Sequence, residues 1–255
     1  MSLLFLTAGT KGGIGKTFAA TMLADTAIRK NIKTVLFDCD NENKSLLNSY
    51  PHPAKNCRVM GVDLNSKEAK VVYPLDAVVN DIIKTEKEAK GKKNIVYIVD
   101  MKAGTTHYTL DWMEDFPFNM IRSLGVQIYI MGCITADIDS VQTLSRWVSR
   151  YREDVKNGLL RFLIVKNHFQ GNEFSSYDNL LSKNLEGANP VILELPRIEE
   201  WYLKTIKENN TTYGQIGMKK LVLEALGEMG AFRIEKHFEI MSEGFASILR
   251  TLDKK

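Results

Sequence analysis

Two lysines, Lys11 and Lys16, bracket Gly12, Gly13, Ile14 and Gly15, and Thr17 follows directly. Ammonium groups, a hydroxyl and a glycine run that leaves backbone N–H groups free form a set suited to holding phosphate. The flanking sequence agrees. Leu3–Thr7 is an apolar run that reads as a buried strand, and Phe18–Ala24 has the composition of a helix. A strand, a glycine-rich turn and a helix start aim backbone N–H groups and the positive helix end at one anion. Lys16 is expected to reach the β- and γ-phosphates of a nucleotide and the Thr17 hydroxyl to bind Mg²⁺, with the backbone of Gly12 to Phe18 as cradle. The common form of this loop has glycine where Thr10 stands, and here Lys11 opens the loop instead.

Carboxylates follow two further apolar runs. After Thr34–Phe37 come Asp38, Cys39 and Asp40. Residues two apart on an extended segment point the same way, so both carboxylates face the phosphates if the segment stays extended. The alternative is a pair that caps the next helix. After Asn94–Val99 comes Asp100, with Gly104 shortly beyond. An apolar strand ending in aspartate places a carboxylate against the threonine hydroxyl or a Mg²⁺-bound water, and the glycine lets the next loop swing toward the γ-phosphate.

The elements that must position these groups alternate along the chain. Candidate strands are 3–7, 33–38, 58–62, 94–100, 126–133, 161–166 and 191–195, several of them uninterrupted and β-branched, as strands buried on both faces are. Candidate helices lie near 17–30, 74–90, 137–157, 174–185, 199–209 and 215–229. The pattern predicts an α/β fold, a doubly wound, mostly parallel sheet whose ligands bind at the carboxyl ends of the strands. A chain of 255 residues accommodates one such domain, with helices from 199 to 255 packed onto it. A mixed-charge run from Lys84 to Lys93 reads as a solvated helix end. The three cysteines are too dispersed for a metal cluster and read as reduced thiols, and the net charge of +3 neither requires nor excludes nucleic acid. Without a basic leader, a small-residue cleavage site or a long apolar run, a soluble cytoplasmic location is expected.

Lys-Gly-Gly-Ile-Gly-Lys-Thr at 11–17 matches the deviant Walker A signature, and the chain resembles the ParA/MinD family of P-loop ATPases over residues 1 to about 200. The resemblance implies ATP or ADP with Mg²⁺ as ligands, hydrolysis to ADP and phosphate, and a homodimer in the ATP state. It gives Lys11 the role of reaching across the dimer interface to the partner subunit's nucleotide. It makes Asp38 and Asp40 the DxD element, Asp38 supporting the metal's water shell and Asp40 positioning the attacking water. Asp100 becomes the Walker B carboxylate and Met101–Gly104 the switch II loop. Asn167 is expected to read the adenine edge, Pro196 and Arg197 to pack on the base, and Ile134–Ser140 to open the interface helix. By its composition alone that last segment is a capped helix N-terminus. Three departures stand out: Asn41-Glu42 where relatives carry Pro-Gln or a similar pair, Lys102 where many carry proline in switch II, and Phe18 in place of a second hydroxyl residue.

What such a switch holds is less legible. A ParA-type reading, for plasmid or chromosome partition (DNA segregation) or a related DNA-transfer role, implies non-specific DNA and a stimulating partner protein, and looks to Arg146, Arg150, Arg152, Lys156 and Arg161, or Lys204, Lys207, Lys219 and Lys220. Interspersed Glu153, Asp154 and Glu208 leave a solvated helix face as the alternative. A MinD-type reading needs a membrane-binding C-terminal helix. Ile234, Phe238, Met241, Phe245, Ile248, Leu249 and Leu252 recur at helical spacing, but Glu235, Glu239, Glu243 and Asp253 among them would be repelled by anionic lipid, so packing on the core is expected instead of membrane. A dethiobiotin-synthetase-like enzyme usually lacks the signature lysine, and an iron-protein-like role needs paired cysteines absent at 101–108.

Overall fold

The computed structural model describes residues 1–9, 11–65, 73–89, 94–185, 187–218 and 220–252, with backbone alone for 216–218 and 220–223. Lys90, Lys92 and Lys93 of the charged run, Thr10, Lys219 and Asp253 lie outside the described residues. Seven strands form the sheet: β1 Ser2–Ala8, β2 Lys33–Asp38, β3 Cys57–Gly61, β4 Ile95–Asp100, β5 Val126–Ile134, β6 Leu160–Asn167 and β7 Val191–Leu195. Their order is β3-β2-β4-β1-β5-β6-β7, and every ladder is parallel. The expected mostly parallel sheet is thus wholly parallel.

Alternation along each strand feeds two cores. Leu3, Phe5, Leu36, Val96 and Ile98 pack on one face beneath α1 (Lys16–Arg29) and α10 (Lys220–Leu249). Leu4, Leu6, Val35, Phe37, Tyr97 and Val99 pack on the other with α3 (Asp76–Ala89) and α6 (Ile138–Arg150). Burial on both faces explains why the strands read as continuous apolar runs. The remaining helices are α2 Ser45–Ser49, α4 Thr106–Glu114, α5 Phe118–Ser123, α7 Arg152–Lys156, α8 Ser175–Leu180 and α9 Glu200–Glu208.

Several boundaries differ from expectation, each for a local reason. The helix expected over 137–157 breaks at Tyr151, whose buried ring packs with Phe118 and Trp147. The one expected over 174–185 stops at Leu180, with a 3-10 turn at Lys183–Leu185. The last helix starts later than expected, after a 3-10 stretch at Tyr213–Met218, and runs far longer, interrupted at Gly227 (φ 66°). Helices α4 and α5 had no sequence forecast: each is too short to show a clear helical period, and Pro117 separates them.

A polar clamp ties the C-terminal region to α1. Asp25 accepts hydrogen bonds from the Tyr50 hydroxyl at 2.8 Å and from the Gly214 N–H at 3.0 Å. Arg29, one turn on, donates to the Gly214 carbonyl at 3.1 and 2.6 Å, pairs with Glu235 of α10, and lies over the Phe238 ring at 4.2 Å. A Cβ on Gly214 would run into the Asp25 carboxylate, which is why this close approach takes glycine. Ile234, Phe238, Met241, Phe245, Ile248, Leu249 and Leu252 are all buried against the core, so the apolar stripe of α10 is already covered.

Burial pushes Asp25 up from 3.8 to about 6 against the pull of its hydrogen bonds. A carboxyl raised on folding stabilises fully below its unfolded pKa, and that contribution is lost as pH rises through the folded value. Urea unfolding should therefore show the stability of the wild type, relative to Asp25→Asn, falling by up to about 3 kcal/mol between about pH 4 and about pH 7. A difference that is constant with pH would contradict the assignment.

Candidate nucleotide-binding site

The loop between β1 and α1 owes its shape to Gly15, the residue before α1, at φ 96° in the left-handed region that favours glycine. Asn167, at the end of β6, clamps the loop: its amide donates to the Ile14 carbonyl at 3.0 Å and its oxygen accepts from the Phe169 N–H at 3.1 Å. A Cβ on Gly15 would run into that amide. Asn167 thus spends hydrogen-bonding capacity on loop geometry, in addition to the base contact expected of it. Pro196 and Arg197 leave β7 directly after Leu195, the register partner of Asn167, so they border the same end of the site.

Three charged side chains converge almost out of water. Lys16 is 7% exposed and donates to the Lys11 carbonyl at 3.2 Å. Burial lowers its pKa, partly offset by Asp100. Asp38 and Asp100 are register partners on β2 and β4, exposed by 1% and 3%. Asp100 accepts from the hydroxyls of Thr17 and Thr7, the latter at 3.2 Å, yet burial pushes it up to about 6. Thr7 also accepts from the Met101 N–H at 2.8 Å, fixing the start of the loop after β4. Sequence reasoning missed Thr7; a hydroxyl closing an apolar strand was its only signal.

The chain turns at residues 41–43, directly after the DxD segment. Asp38 accepts from the backbone N–H groups of Asp40, Leu46 and Leu47 at 3.0, 2.9 and 2.9 Å, so it caps α2 as well as facing the site. Burial raises its pKa despite these bonds. Asp40 accepts from Glu42 and Asn43 N–H at 3.2 Å each and from the Asn43 amide at 2.9 Å. Burial alone would raise Asp40, but these bonds and the charge of Lys102 outweigh it and hold the carboxylate below its usual range. Asp38 thus meets the first turn of α2 as the capping alternative has it, while Asp40 closes the turn that precedes that helix.

Lys11 is turned away from its own loop. Its ammonium is paired with Asp137, the N-cap of α6, with Asp139 at 3.7 Å. Asp137 was legible as a cap but not as this lysine's partner. Phe18 packs edge-on against Tyr213 with ring centroids 5.5 Å apart, beside a cavity of about 340 Å³ between α2 and α9.

The donors Thr17, Asp38 and Asp100 are all oxygen, which suits a hard cation such as Mg²⁺. Among the described residues no group of three or more His, Cys, Asp or Glu side chains forms a metal cage. A Mg²⁺ ion here would draw most of its shell from phosphate and water, its usual habit.

A phosphate-binding loop at the carboxyl edge of a wholly parallel sheet, with a strand-end aspartate against the loop threonine, defines a P-loop nucleotide-binding domain. The chain belongs to the CbiA family, the CobQ/CobB/MinD/ParA nucleotide binding domain, which matches residues 5–211. The septum site-determining protein MinD of Pyrococcus horikoshii, complexed with Mg-ADP, is similar at TM-score 0.53 and 14% identity, over 94% of this chain and 95% of that one. An ATP complex of a McdA variant from Cyanothece is similar at TM-score 0.52 and 14% identity, over 96% of each chain. At that identity the likeness is one of fold. No curated protein sequence matches the chain. Among the described residues no helix is long and apolar enough to cross a membrane.

Gly15→Ala should cost roughly 1–3 kcal/mol in urea unfolding from the left-handed backbone alone, and more from the clash. Combined with Asn167→Ala, which removes the obstructing amide, the loss should be smaller than the sum of the two single losses. Strict additivity would show that Asn167 does not confine the loop.

Proposed function

We propose that this chain is a Mg²⁺-dependent ATPase working as a dimerisation switch, ParA-like in type, whose ATP dimer holds a surface and releases it after hydrolysis. The observation that carries this reading is Lys11. Its ammonium pairs with Asp137 instead of serving its own loop, which supports a role toward a facing subunit. In this reading Lys16, Mg²⁺ and the partner subunit's Lys11 neutralise charge developing on the γ-phosphate, and Asp40 orients the attacking water once its turn rearranges. Thr17, Asp38 and Asp100 hold the metal and its waters. The backbone of Gly12, Gly13, Ile14, Gly15 and Phe18 cradles the phosphates, and Asn167, Pro196 and Arg197 border the base.

Non-specific DNA is the proposed surface, in partition or a related DNA-transfer role, with a second protein stimulating release. Burial of the α10 stripe argues against the MinD-type membrane alternative. The basic surface is mixed. Arg150 pairs with Glu114, Lys156 with Glu153 at 2.6 Å and Lys204 with Glu208 at 3.8 Å, while Arg146, Arg152 and Arg161 are exposed. Those three are the best-placed residues for phosphate contacts.

Asp40→Ala protein, slowed in hydrolysis, should bind random duplex DNA with Mg-ATP but not Mg-ADP, and binding should fall steeply with salt. Formation of the ATP dimer without DNA binding would move the reading to a protein or membrane cargo. Lys11→Ala should keep nucleotide affinity while losing turnover, and full turnover by this variant would exclude the lysine from catalysis.

A further inference from the structure

One cation near the phosphate end is used by neither the loop nor the proposed interface. Lys102 stands two residues beyond Asp100, in the switch segment, and its ammonium lies 2.5 Å from Glu42 on the turn that follows β2. The pair is lopsided: the Lys102 side chain is 25% exposed and that of Glu42 68%. A largely covered lysine is therefore neutralised by a carboxylate that is mostly in water, a weak and readily exchanged arrangement. Lys102 also lies within the electrostatic reach of Asp40.

The backbone around Lys102 is built to place that charge beside the phosphate loop. Ala103 sits 3.8 Å from where a Cβ on Gly12 would be, so the switch segment packs directly on the loop. The Thr105 hydroxyl fixes the Lys102 carbonyl at 2.7 Å, and Gly104 supplies a left-handed turn at φ 81°. A cavity of about 270 Å³, lined by Cys39, Asn41, Lys102 and Gly104 among others, lies between the segment after β2 and the switch segment, beside the Lys102 side chain. With Lys11 paired to Asp137, Lys16 is the only cation of the loop facing its own phosphates among the described residues.

We propose that Lys102 is a same-subunit cation for the terminal phosphate, exchanging Glu42 for γ-phosphate oxygens when ATP is bound and returning to Glu42 with ADP, so that it is the residue by which this chain distinguishes the two nucleotides. The inference rests on the nucleotide-site reading above. A terminal phosphate, with more than one negative charge and several acceptor oxygens, is a stronger partner for an ammonium than one solvated carboxylate. The exchange also releases Glu42, which couples the two loops to the γ-phosphate.

Calorimetric titration with Mg-ADP and with a non-hydrolysable Mg-ATP analogue tests this on the wild type, Lys102→Ala, Lys102→Arg and Glu42→Gln. Lys102→Ala should keep its ADP affinity and lose at least about tenfold in affinity for the analogue, the cost of one hydrogen bond to a charged group. Lys102→Arg should recover part of that loss, and Glu42→Gln should bind the analogue more tightly with ADP unchanged. Equal losses for both nucleotides in Lys102→Ala, or no loss for either, would overturn the proposal. Failure of the wild type to bind either nucleotide would overturn it together with the site reading, and is told apart from the previous outcomes by the wild-type titration itself.

Discussion

Lys16, Asp38 and Asp100 are held almost out of water at the carboxyl end of the sheet, and much of the surrounding structure answers to that constraint. Desolvation lowers the lysine and raises both carboxyls. The protein offsets part of this cost with fixed donors: Thr7 and Thr17 on Asp100, and three backbone N–H groups on Asp38. Lys16 and Asp100 also compensate each other, and in the proposed function Mg²⁺ against the carboxylates and phosphate against the lysine would add to that compensation.

Around this fixed centre sit three less committed charges. Lys11 rests on Asp137 at the start of α6, Lys102 on Glu42, and Asp40 on its own turn. Each is bound to a neighbour that a nucleotide or a second subunit outcompetes in the proposed cycle. In the proposed cycle the buried groups stay in place while the more exposed pairs exchange partners. The clamp of buried Asp25, exposed Arg29 and Gly214 keeps the C-terminal region on α1 at the opposite end of that helix from the loop.

The inner strands lie close to their expected positions because burial on both faces leaves little but apolar and β-branched residues in them, and the partly exposed edge strands β3 and β7 still carry enough apolar residues to be legible. The loop, Asp38 and Asp100 were legible for a different reason: phosphate binding demands glycine, lysine and a hydroxyl at fixed spacing after a strand. Less was visible where tertiary contacts decide. Tyr151 breaks a helix through ring packing, and Gly227 interrupts a helix that otherwise continues. The downstream backbone donors that Asp38 and Asp40 engage, in α2 and in the turn at 41–43, were likewise not legible from local spacing. The partners of Lys11 and Lys102 come from other strands' loops, and no local spacing encodes such a meeting.

In the proposed switch, nucleotide state sets oligomeric state. Sedimentation of the wild-type chain with Mg-ADP and with a non-hydrolysable Mg-ATP analogue reads this out. A monomer is expected with ADP, and a species of twice that mass with the analogue. The same mass in both, with nucleotide binding confirmed in each sample, would contradict it.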